Sequence, residues 1–69
     1  MAFASTKPPG EVLRVLMARH GLTQQPIEGG IAYRKSGQPD CIVPGVDPAD
    51  DLRLVRNWLT RIGLDARVF

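Results

Sequence analysis

Val12, Leu13, Leu16 and Met17 recur at the spacing of one helix face, with Glu11, Arg14 and Ala18 on the other side. Pro8-Pro9-Gly10-Glu11 opens this helix with a proline in its first turn, where a missing N–H costs nothing, and Gly21 ends it. The pattern then shortens. Leu22–Gln25 reads as a first strand that Pro26 either ends or confines to a sheet edge. Gly29-Gly30 is a turn, and Ile31–Lys35 is a second strand with Ile31 and Tyr33 on one face. Ser36–Pro39 forms a hairpin turn, Asp40–Val43 returns as a third strand, and Pro44-Gly45 stops it.

The strongest element follows. Asp47 suits the N-cap of a second helix, because its short carboxylate can accept from a free N–H of the first turn. Pro48 falls at the first helical position, and Asp50 and Asp51 set negative charge at the positive end of the helix dipole. Leu52, Val55, Leu59 and Ile62 form the buried stripe, with Trp58 at its edge and Leu54 further out beside Arg61. Arg53, Asn57 and Thr60 face solvent, and Gly63 suits a left-handed C-cap over which Leu64 folds back.

The predicted fold is α+β in the order α-β-β-β-α: a three-stranded antiparallel sheet with both helices packed on one face and the other face open. Residues 1–7 read as a flexible arm, 8–64 as one domain, and 65–69 as a tail whose apolar end, Val68-Phe69, packs on the domain or reaches a partner.

At 69 residues the chain has room for one small core, and dimerisation is a common source of extra buried area at this size. The lone Cys41 excludes an internal disulfide, and no apolar run approaches a membrane span, so a cytoplasmic protein without membrane attachment is expected. Net charge is +2, unevenly placed. Residues 1–37 carry Lys7, Arg14, Arg19, Arg34 and Lys35 against Glu11 and Glu28, a net +3, while the remainder is −1. A phosphate-facing surface therefore belongs to the N-terminal half, with Arg14, Arg34 and Lys35 as the candidate nucleic-acid contacts. One histidine and one cysteine cannot build a structural zinc site, so no metal and no cofactor is expected. His20 falls within the apolar stripe of the first helix and reads as a half-buried structural residue near its end. Leu54, Trp58 and Arg61 make the best candidate for a protein-contact patch, since interfaces favour Trp and Arg anchors; otherwise Trp58 completes the core.

Four phrases in order, Gly10–Leu16, Glu28–Gly37, Ile42–Pro44 and Leu54–Leu59 leading to Ile62-Gly63-Leu64, resemble the HicA-type toxins, small messenger-RNA interferases with a fold like the double-stranded-RNA-binding domain. The resemblance covers roughly Pro9 to Leu64. It implies the same α-β-β-β-α order and, in the family, a catalytic histidine at the start of the second strand. Here that stretch reads Gly29-Gly30-Ile31, and nothing near it titrates close to neutral pH. The family's duplex-binding relatives carry lysines at the start of the last helix, where this chain carries Asp47, Asp50 and Asp51, which repel phosphate. The expectation is therefore a non-catalytic binding or regulatory protein on a HicA-like fold. Its partner would be an antitoxin-like or host protein, or a second copy of the chain. The alternatives are RNA binding or weak ribonuclease activity through Arg14, Arg34 and Lys35, and lastly a DNA-binding regulator, disfavoured by the lack of a helix-turn-helix pair.

Overall fold

The computed structural model describes residues 7–67, and the element order is α1 (Pro9–His20), β1 (Thr23–Ile27), β2 (Gly30–Arg34), β3 (Cys41–Val43) and α2 (Pro48–Arg61). This is the α-β-β-β-α arrangement that the periodicity predicts. Of the expected arm only Lys7 falls among the described residues, and Val68 and Phe69 of the tail fall outside them.

Local chemistry sets the element ends. In α2, Asp47 Oδ1 accepts from Ala49 N–H at 3.0 Å, the side-chain cap that the sequence indicates. At the other end Gly63 takes φ +85°, which lets Leu64 N–H reach the Leu59 carbonyl at 2.8 Å and Gly63 N–H reach Thr60 at 3.1 Å. These two bonds make a Schellman ending and fold Leu64 back on the helix. Helix α1 ends on a left-handed Gly21 (φ +65°), and the N–H groups of Gly21 and Leu22, the latter at 2.8 Å, both return to the Met17 carbonyl.

The strands pair antiparallel in the order β1-β2-β3. Gln24 and Pro26 stand opposite Tyr33 and Ile31 on the helix-facing side, and Cys41 and Val43 flank the same two residues from β3. Strand β1 runs through Pro26 to Ile27 rather than stopping at it. The proline is tolerated because β1 is an edge strand, where a ladder loses nothing if the absent N–H faces outward.

The core lies between the helices and β2–β3. Leu16, Val43, Val55 and Leu59 are fully enclosed, joined by Val12, Leu13, Leu22, Tyr33, Cys41 and Trp58. Leu52 and Ile62, expected in the buried stripe, are only half-buried at its margins. The two helices run side by side in the same direction. Gly10 and Leu13 of α1 share one cleft with Pro48 and Asp51 of α2, while at the far end His20 meets the chain after α2.

At Gly30 the neighbouring strand leaves no room for a side chain. A Cβ there would lie 2.0 Å from the Val43 carbonyl oxygen, so β2 and β3 approach this closely only with glycine at that position. The Val43 carbonyl is thus directed at β2. Alternation along an antiparallel strand then turns the N–H and C=O of Ile42 toward the free edge of β3.

Candidate functional site

The two residue sets singled out in the sequence have different fates. Leu54, Trp58 and Arg61 do share one surface feature, a groove of about 230 Å³ between α2 and β3 that Asp40, Ile42 and Asn57 complete. Within it the three contribute unequally. Trp58 is only 6% exposed and belongs to the core, and its indole N–H donates to the Pro39 carbonyl at 3.0 Å. The ring therefore supports the groove from beneath. Leu54 is half-buried, and Arg61 is exposed.

The element that dominates the groove is one the sequence did not reveal. Ile42 is 56% exposed, one of the exposed large apolar side chains among the described residues, and stands on the unpaired edge of the sheet. Cys41-Ile42-Val43 is an unbroken apolar run, in which side-chain alternation must expose one face. Periodicity alone does not say which, because only the packed helices reveal the covered side.

Cys41 forms the groove's inner wall. Its Sγ lies 3.9 Å from the Leu54 carbonyl oxygen. Burial pushes the thiol above its ordinary range; the nearby Arg61 charge opposes this and the Asp51 charge adds to it. A buried thiol held in its neutral form is a packing group rather than a nucleophile.

The structure disperses Arg14, Arg34 and Lys35. Arg14 lies on α1 over the helix-covered side of the sheet, at a cleft it shares with Tyr33 and Asp51. Arg34 projects from the opposite sheet face, where its Nε donates to Asp40 Oδ2 at 3.1 Å and its Nη1 to Gln25 Oε1. Lys35 Nζ donates to the His20 carbonyl at 2.8 Å, at the C-terminal end of α1, so it caps a helix. Arg34 is paired, Lys35 is a cap and Arg14 has no salt bridge among the described residues, so the three do not form a common phosphate-facing patch.

His20 is half-buried, as its place in the stripe suggests, and its role is local. Its Nε2 lies 2.6 Å from the Asp65 carbonyl oxygen. Arg19 Nη1 donates to the Arg67 carbonyl, so two consecutive α1 residues hold the tail across the ends of both helices. Asp65 also accepts from Arg67 N–H at 2.9 Å and from Arg67 Nε at 3.1 Å, which holds its carboxyl below the usual range. No helix among the described residues is long and apolar enough to cross a membrane.

Comparison with family models, with curated proteins and with solved structures finds no match to this chain. None of these comparisons identifies the HicA type.

Proposed function

We propose that this chain is a binding module that works through protein contact, taking an extended segment of a partner protein alongside β3. The observation that carries this reading is Ile42, an exposed apolar side chain on a strand edge that no strand pairs among the described residues, with its backbone N–H and C=O turned outward. An added strand obtains affinity from main-chain hydrogen bonds and specificity from side-chain pockets. The groove beside Ile42 offers Leu54 as an apolar floor, with Arg61 and Asp40 as charged markers of register. The HicA-like order of elements belongs to the same reading: a scaffold of that kind, with glycine where the toxins carry their histidine, kept for occupying a partner. The nucleic-acid alternative has weaker support, since Arg34 is bound to Asp40 and Lys35 to a helix end.

The test is to select strand-forming peptides from a displayed library on the folded chain. Bound peptides are expected to shift the amide resonances of Asp40, Cys41, Ile42 and Val43 and to slow hydrogen exchange at the Ile42 N–H. Ile42→Asp, which leaves the core untouched, is expected to abolish that binding with the circular dichroism unchanged, because charge on an edge strand blocks strand addition. Peptides that map elsewhere, or that bind Ile42→Asp equally well, overturn the proposal.

A further inference from the structure

A second feature lies at the opposite end of the molecule from the tail, where the first turns of both helices approach the sheet. Strand β1 presents Gln24 and Pro26 to the helix side, and both are exposed, so the core stops at β2. The space left over is a cleft of about 300 Å³. Its walls are apolar, from Leu13, Met17 and Val46, the last of these 87% exposed at the mouth.

Four polar side chains line this cleft: Arg14, Gln24, Tyr33 and Asp51. Two of them are almost fully enclosed, Tyr33 at 3% and Asp51 at 4% exposure. Asp51 Oδ1 accepts from Gly45 N–H at 3.1 Å, and the carboxylate forms no ion pair with a cation among the described residues. Buried carboxylates are ordinarily paired. The Tyr33 hydroxyl makes no side-chain hydrogen bond among the described residues, and its oxygen is open to the cleft; the fully buried polar side-chain atom without a partner among them is Arg56 Nε. Burial pushes the Tyr33 phenol up, and the charge of Asp51 raises it further, so the two groups feel one another across the cleft. Arg14, one helix turn from the α1 start, forms no salt bridge among the described residues.

Among the described residues, a carboxylate without a cation, a guanidinium without an anion and a hydroxyl without a side-chain hydrogen bond thus share one cleft with Leu13, Met17 and Val46. We infer that this cleft binds a small zwitterion of the α-amino-acid class. Asp51 and the Tyr33 oxygen receive the ligand's ammonium, Arg14 takes its carboxylate, and Leu13, Met17 and Val46 contact an apolar side chain. An amine alone would meet the Arg14 charge, and a carboxylic acid alone would meet Asp51. Only a ligand carrying both charges satisfies both side chains. Concave sites of this kind, mainly apolar with a few convergent polar groups, are the usual form of small-molecule sites.

The experiment is a titration of the folded chain with each standard L-amino acid at millimolar concentration, followed by amide chemical shifts. Isoamylamine and 4-methylpentanoic acid serve as single-charge analogues of leucine. An apolar amino acid is expected to move the resonances of Arg14, Tyr33, Gly45 and Asp51, and each single-charge analogue to bind about tenfold more weakly, the loss expected for one charged hydrogen bond. Asp51→Asn keeps an acceptor for Gly45 N–H and so preserves the loop; it is expected to weaken the amino acid without weakening 4-methylpentanoic acid. Arg14→Gln is expected to weaken the amino acid without weakening isoamylamine. Absence of shifts with every amino acid, shifts that map away from the cleft, or equal binding of leucine and its two analogues would each overturn the inference.

Discussion

Trp58 Nε1 donates to the Pro39 carbonyl at 3.0 Å, tying the middle of α2 to the hairpin that joins β2 and β3. The bond reaches across 19 residues and satisfies the indole while the ring fills the core. Trp58→Phe keeps most of the apolar contact and leaves the Pro39 carbonyl without this donor, so a loss of about 1–2 kcal/mol is expected. Trp58→Ala also empties the ring's volume and is expected to lose about 3–5 kcal/mol. Urea unfolding followed by tryptophan-independent circular dichroism measures both. A Trp58→Ala variant as stable as the parent would remove the ring from the core.

Gly30 and Gly10 give opposite expectations for the same substitution. Gly30→Ala drives a methyl into the Val43 carbonyl oxygen and separates β2 from β3, with a loss of at least about 2 kcal/mol expected from that overpacking. Gly10 lies in the first turn of α1 with nothing within 4 Å of an added Cβ. Gly10→Ala is therefore expected to stabilise by a few tenths to about 1 kcal/mol through helix propensity. Thermal melts of the two variants, run side by side, decide the signs.

Cys41 and Tyr33 set an alkaline limit. Both groups are held protonated in the folded state, chiefly by burial, above their ordinary values of 9.0 and 10.0. An acid whose folded value is raised contributes stability that is complete below its ordinary value and declines as pH rises toward the folded one. These two groups are expected to leave stability level just below about pH 8 and to lower it above pH 9. In Cys41→Ala the decline should begin later, and in Tyr33→Phe its upper part should disappear. The readout is denaturant unfolding at a series of pH values. Alkylation of Cys41 by iodoacetamide should meanwhile be slow in the folded chain and fast in urea.

His20 holds the tail. Removing its ring in His20→Ala frees the Asp65 carbonyl, with a loss of about 0.5–1.5 kcal/mol expected. Amide exchange at Leu64, Ala66 and Arg67 should quicken while exchange in β2 stays as it was. Uniform acceleration through the whole domain would mean instead that His20 supports the core directly.

The fold was largely legible because its signals are local. The Asp47 cap, Pro48 in the first turn, Gly63 at the end and the Leu16–Met17 stripe all act within one or two helix turns, and each appears where the residues place it. Strand ends were less legible: β1 passes through Pro26 because edge position, a property of the whole sheet, cancels the local penalty. The surface was least legible. Whether Trp58 faces inward depends on Pro39, 19 residues away, and whether Arg14, Arg34 and Lys35 converge depends on which side of β2 each element lands. Asp51 shows the same limit. Its place in the first turn suggests a dipole contact, yet its hydrogen bond goes to the loop before the helix.

The sheet's two margins are unlike. On one side Pro26 interrupts the row of donors, and on the other Ile42 leaves it intact. Any copy that associated with another through this sheet would have a single adhesive border to offer. Such growth closes at a pair and cannot propagate into a filament, so the proline acts as a terminator for assembly.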